Sequence, residues 1–166
     1  MQSLSIKQTA KKIAELKASG KKVALIDGCF DVLHTGHINL FRFAKKYADI
    51  LVIGLYNDKI IRVNKGQNRP IHEINERAKF LSEIKSVDLV FEIEGVYLFK
   101  GQEIEDKFRK MLDTLKVNYI VTNQLGDRGW RKKQAIAEGL GIKLLLYKGP
   151  KTKSTTTIAQ KIAQEN

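Results

Sequence analysis

A chain of 166 residues, 43% hydrophobic and 29% charged, has the length of one globular domain with one core, and no apolar run approaches the roughly 18 residues of a membrane span. Lys and Arg number 30 against 18 Asp and Glu, and the net charge of +12 attracts polyanions; yet the basic residues are scattered, and aromatics total 8% without the interleaving that stacks single strands, which speaks against nucleic acid. The single cysteine, Cys29, excludes an internal disulfide, three histidines are few for a zinc cluster, and the N-terminal segment lacks a secretion signal, so a cytoplasmic location is expected.

In chain order, Ile6, Ala10, Ile13 and Leu16 recur at helical spacing and Gly20 stops the pattern, which predicts an N-terminal helix within residues 1–20. KKVALID reads as a buried strand, His37 to Ala48 as a largely buried helix, and ILVIGL as a strand covered on both faces. Residues 57–70 mix turn formers with basic residues and are expected to form a mobile loop, with a helical turn near Ile60 and Ile61. EINERAKFLSEI is helical, SVDLVFEI a strand, 103–115 a helix, VNYIVT a strand, 131–138 a helix and IKLLLY a strand, followed by a polar loop and a closing helix from about 156. The alternation predicts an α/β fold: a single Rossmann-like domain over 1–166, with a five-stranded parallel sheet flanked by helices and an extra N-terminal helix. Ligands of such sheets bind beyond the C-terminal ends of the strands, where the loops after each strand meet.

The stretch GCFDVLHTGH, Gly28 to His37, leaves the first strand and enters a helix. Helix N-termini favour phosphates, His34 and His37 lie three apart, and Gly36 allows close backbone approach by an anion. Two imidazoles and backbone N–H groups can stabilise charge developing on phosphorus without a covalent intermediate, which points to nucleotidyl transfer. A zinc site would need partners that neither Cys29 nor His72 supplies at a paired spacing.

Together with ADILVIGLYND, KGQNRPIHEINERAKFLSEIKSVD and STTTIAQKI, that stretch resembles the cytidylyltransferase-like branch of the HxGH nucleotidyltransferases, from about residue 5 onward. Within the branch the chain is most similar to the heptose 1-phosphate adenylyltransferase domain, and next to glycerol-3-phosphate cytidylyltransferase. It departs from the second in reading KGPKTKSTT where those enzymes have RTxGIS before STT, and from the first in reading TNQLGDRGW where those have KGGDY.

The resemblance implies roles. Backbone at Gly28, Cys29 and Phe30 would hold nucleotide phosphates, with His34 and His37 on them during transfer. Asp31 would orient the turn or cap the helix start. Lys65 would neutralise phosphate charge, Arg77 would reach the triphosphate from its helix, and Arg69 would assist. Ser154, Thr155 and Thr156 would supply hydroxyls and N–H groups to the outer phosphates, and Asp127 and Trp130 would meet the base or the acceptor. The acceptor phosphate would attack the α-phosphorus in line and expel pyrophosphate, with Mg²⁺ bridging the triphosphate and no protein metal ligand expected. The implied partners are a nucleoside triphosphate, ATP before CTP, and a phosphorylated small molecule, in a homodimer as in many relatives. An FAD synthetase-type adenylyltransferase and a non-catalytic nucleotide- or RNA-binding module are the competing readings.

Overall fold

The computed structural model describes residues 4–95 and 98–149. Its elements run α1 (Ile6–Ala18), β1 (Val23–Gly28), α2 (Thr35–Ala44), β2 (Ile50–Tyr56), α3 (Asp58–Lys65), α4 (Ile74–Ser82), β3 (Leu89–Ile93), α5 (Gln102–Leu115), β4 (Tyr119–Asn123), α6 (Trp130–Glu138) and β5 (Lys143–Tyr147). The five strands form one parallel sheet in the order β3-β2-β1-β4-β5. The chain builds outward from β1 to β2 and β3, then returns to the other side of β1 for β4 and β5. That reversal opens a crevice at the C-terminal ends of β1 and β4, the place where open α/β sheets take their ligands.

Two apolar layers cover the sheet. Ile13 of α1, Phe108, Met111, Leu112 and Leu115 of α5, and Ile136 and Ala137 of α6 pack on one face with Val23, Leu25 and Ile120. Leu40, Phe41 and Ala44 of α2 and Ala78 and Leu81 of α4 pack on the other with Ala24, Ile26, Leu51 and Ile53. Strands β1 and β2 are nearly continuous runs of buried aliphatic residues because both of their faces are roofed by helices. The N-terminal helix begins at a capping box, in which Ser5 Oγ accepts from the Gln8 N–H and Gln8 Oε1 accepts from the Ser5 N–H.

Within residues 57–70 the helical turn expected near Ile60 and Ile61 is a full helix, α3, over Asp58–Lys65. Asn57 Oδ1 accepts from the Ile60 N–H at 2.8 Å, and Gly66 ends the helix at φ 98°, a conformation that favours glycine. Eight residues are too few for a helix to persist alone. Full burial of Ile60 and Ile61 against Tyr56, Cys29, Ile93 and Ile104 supplies the difference, at about 1.5–3 kcal/mol for each side chain. The helix after GCFDVLHTGH also starts earlier than expected, at Thr35, with His34 as its N-cap.

Candidate active site

Helix α2 starts with its own histidines as caps. His34 Nδ1 accepts from the Gly36 N–H at 3.1 Å, and His37 Nδ1 accepts from the His34 N–H at 3.3 Å. The His37 N–H itself bonds the His34 carbonyl at 2.9 Å. The amides of His34, Gly36 and His37 are thus engaged by the rings and by the helix and are not bare donors for a ligand. What the arrangement exposes instead is chemistry on the imidazoles. With Nδ1 of each ring accepting, the neutral tautomer carries its proton on Nε2, so each ring presents an N–H donor.

The two rings lie 3.9 Å apart, centroid to centroid. Burial lowers the pKa of His34, and burial, His34 and the Lys65 ammonium together lower that of His37 to about 3. Both rings are thus neutral near pH 7 and act as hydrogen-bond donors, not as cations. Lys65, the exposed last residue of α3, brings the positive charge: its ammonium hydrogen-bonds the Cys29 thiol and is felt at His37. Burial pushes the Cys29 thiol up, against the pull of Lys65 and Arg77. A neutral, half-buried thiol at this turn is a packing group.

The GCFD turn is shaped by Phe30. This residue sits at φ 46°, a conformation that costs a bulky side chain on the order of 1–3 kcal/mol. Its buried ring packs edge-on to His37, with centroids 5.1 Å apart, and against Phe41 at 5.6 Å. Gly28 is a glycine because of that ring: a Cβ there would lie 2.7 Å from Phe30 Cε2. Gly36 is buried in the first turn of α2.

Four charged residues, Arg77, Asp31, Arg69 and Asp127, are taken up by contacts within the fold. Arg77 is 0% exposed. Its Nε donates to the His72 carbonyl at 2.9 Å, Nη1 to the carbonyls of Cys29 at 2.6 Å and Tyr56 at 3.0 Å, and Nη2 to Asp58 at 2.5 Å. The guanidinium therefore ties the GCFD turn, the end of β2, the start of α3 and the lead into α4 together, and it does not reach outward from its helix. Asp31 does not cap α2. It is 3% exposed, its Oδ1 accepts from the N–H groups of Ile71 and His72, and its Oδ2 pairs with Arg69 at 2.7 Å, which occupies both residues in anchoring the 69–72 segment beneath the turn. Asp127 is turned inward, accepting from Gly129 N–H and Thr122 Oγ1, each at 2.8 Å, and pairing with Lys133 at 2.9 Å. Trp130 opens α6, with the Arg131 guanidinium 4.6 Å from its ring. Ser154, Thr155 and Thr156, and the closing helix from 156, lie outside the described residues.

Sequence reading missed Asp27, Tyr56, Asp58 and Lys133, all joined to the turn or the crevice. Sequence signals existed for two of them. Asp27 is a charge at the end of an otherwise apolar strand, and Lys133 shares a helix face with Ile136 and Ala137 through i+3 and i+4 spacing.

The cytidylyltransferase-like family profile matches residues 25–159, from β1 through the crevice to the far end of the sheet. The chain belongs to the cytidylyltransferase-like family. Its membership places this Rossmann-like sheet among nucleotidyltransferases, with the histidine-capped turn at the start of the match. The bifunctional protein HldE of Aliarcobacter butzleri is 32% identical over 98% of the chain, and that of Geobacter metallireducens is 35% identical over 88%. The chain spans only 31% and 28% of the length of these two relatives. A solved lipopolysaccharide core biosynthesis protein from Thermoplasma volcanium superposes with a TM-score of 0.62 at 27% identity, covering 81% of this cytidylyltransferase-like chain and all of its own. The pantoate-beta-alanine ligase of Francisella tularensis, at 15% identity, covers 96% of this chain and 76% of its own with a TM-score of 0.61, and shares the fold. Among the described residues no helix is long and apolar enough to cross a membrane.

Proposed function

We propose that the chain transfers a nucleoside monophosphate from a nucleoside triphosphate, ATP before CTP, to a phosphorylated sugar of the heptose 1-phosphate class, releasing pyrophosphate. The observation that carries this reading is the pair of neutral imidazoles whose Nδ1 atoms are fixed by backbone N–H groups, leaving two Nε2–H donors side by side next to Lys65. Donors fixed in advance stabilise charge in a transition state without reorganising. The sugar phosphate is supported by similarity to the HldE relatives and to the lipopolysaccharide core biosynthesis protein.

In the reaction an ionised oxygen of the acceptor phosphate bonds the α-phosphorus as the bond to the bridging α–β oxygen breaks and pyrophosphate leaves. A phosphate monoester is already ionised near neutral pH, so no residue need act as general base. The imidazole Nε2–H groups donate to phosphate oxygens, and the Lys65 ammonium offsets the charge gathering on the leaving group. Mg²⁺ would enter with the triphosphate as part of the substrate and would offset the charge on its oxygens. The protein's proposed contribution is the positioning and charge of its own groups. Ser154, Thr155 and Thr156 are proposed to take the outer phosphates.

The test is pyrophosphate release with Mg²⁺ and ATP or CTP, each against heptose 1-phosphate, glycerol 3-phosphate, FMN and phosphopantetheine. Turnover with ATP and the heptose phosphate is expected. Turnover only with CTP and glycerol 3-phosphate, or only with FMN, would replace the acceptor and base. Nucleotide or RNA binding with no turnover across the panel would reduce the chain to a binding module.

A further inference from the structure

Where the exit of β1 meets the loop after β4, Asp27, Lys133 and Asp127 form a cluster of charge that the transfer chemistry does not use. Asp27, at the end of β1, has a side chain 2% exposed, and the Lys133 ammonium of α6 donates to both of its oxygens, at 2.8 and 2.7 Å. The same ammonium pairs with Asp127 Oδ2 at 2.9 Å, and Tyr56 Oη donates to Asp27 Oδ2 at 2.7 Å. Thr122 Oγ1 and the Gly129 N–H complete the shell of Asp127. From α5 the Phe108 ring lies 5.2 Å from Lys133 Nζ, while Glu105 of that helix pairs with Lys132 instead. Burial alone would depress the ammonium, but the two carboxylates outweigh it and hold Lys133 above the ordinary lysine value; burial alone would raise Asp127, but Lys133 and its hydrogen bonds hold it low. Two carboxylates and one ammonium leave the cluster with a net charge of minus one.

A negative charge in this position opposes what the crevice is meant to take. Asp27 directly precedes Gly28, and Asp127 lies in the loop that closes the other side. With all three ammonium protons directed at carboxylates, Lys133 has none to offer a ligand. We infer that Lys133 sets the phosphate affinity of the crevice as a positioning residue: it is the counter-ion of the buried Asp27 and the partly exposed Asp127 at the strand-order reversal, and its removal leaves their negative charge uncompensated next to the turn proposed to hold the phosphates. Asp27 and Asp127 hold the exit of β1 to the loop after β4 through this one ammonium, and the residual charge tempers triphosphate binding. The inference rests on the nucleotidyl-transfer reading for the statement that phosphates occupy the crevice.

The experiment is a binding series by isothermal titration on the full chain, with the mono-, di- and triphosphates of whichever nucleoside supports binding, and with thermal melting of each variant. In Lys133→Met the loss of affinity is expected to grow with the number of phosphates, reaching about tenfold for the triphosphate. Asp27→Asn is expected to do the reverse, tightening the triphosphate more than the monophosphate. The double variant Lys133→Met with Asp27→Asn restores the net charge and is expected to return to within about threefold of the parent. Lys133→Arg keeps the charge and is expected to show no phosphate-dependent loss. A merely structural role would lower the melting temperature and weaken all three nucleotides equally, and that flat series would overturn the inference. Should Lys133→Met fail to fold, Asp27→Asn decides alone: equal affinity changes across the three ligands sink it. A parent chain that binds none of the nucleotides refutes the nucleotidyl-transfer reading itself, which separates the two failures.

Discussion

His34 and His37 cap the same helix through their Nδ1 atoms, one taking the Gly36 N–H and the other the His34 N–H, so that two rings 3.9 Å apart carry their protons on Nε2. Capping and phosphate chemistry are not rival explanations for this motif. The cap fixes the tautomer, and the tautomer provides the donor.

His37→Ala is expected to lower kcat by about a hundredfold or more while changing triphosphate affinity by less than about threefold, as befits donors that act on charge developing in the transition state. Steady-state pyrophosphate release and equilibrium binding measure the two quantities separately. Equal losses in both would make the ring a ground-state phosphate ligand.

The same residue couples folding to acid. Its pKa is about 3 in the folded chain, below the ordinary histidine value of 6.5, so between those values the unfolded chain binds the additional proton. The stability associated with a neutral His37 is full above that ordinary value and is lost as pH falls toward the folded pKa, by up to about 1.4 kcal/mol per pH unit. Urea unfolding at about pH 7 and about pH 4.5 should therefore show a smaller acid loss for His37→Gln than for the parent. An identical loss would show that the ring does not hold a depressed pKa.

Arg77 is a structural hub. Replacing its fully buried guanidinium with methionine removes the donor that the carbonyls of Cys29, Tyr56 and His72 and the Oδ1 of Asp58 share. A loss of about 3–5 kcal/mol in unfolding free energy is expected, read from the denaturant midpoint. A change under about 1 kcal/mol would contradict the buried placement.

Lys65 should behave in the opposite way. It is exposed at the end of α3, with its ammonium at Cys29 and close to His37. Lys65→Ala is expected to leave stability within about 0.5 kcal/mol of the parent. Its kcat/KM for the triphosphate should fall about tenfold or more, as loss of a charge-assisted phosphate contact requires.

Gly28→Ala tests the turn. The new methyl would lie 2.7 Å from Phe30 Cε2, and the ring that moves is the one packed edge-on to His37. A destabilisation of about 1–3 kcal/mol is expected, together with a fall in kcat that thermal melting and turnover would register in the same variant.

The alternation of apolar runs and amphipathic segments in the sequence determined the five strands, the N-terminal helix and the helices over α2, α4, α5 and α6. Each of these buries a stripe or a whole strand, and burial writes its period into the chain. The histidine pair was legible for the same local reason, because a cap and its third helical residue are neighbours in sequence as well as in space. The full length of helix α3 was not, since its turn-forming residues read as a loop around a helical turn, and burial of Ile60 and Ile61 against Tyr56, Cys29, Ile93 and Ile104 adds to the Asn57 cap in stabilising so short a helix. Tertiary structure alone decided the partners of the charges. Arg77 and Asp58 are 19 residues apart, Asp31 and the amides of residues 71 and 72 about twice that, and Asp27 and Lys133 are 106 apart. A charge in a sequence carries no mark of its counter-ion; strand order brings Asp27 and Lys133 to one crevice, and the cost of burying either without the other holds them there.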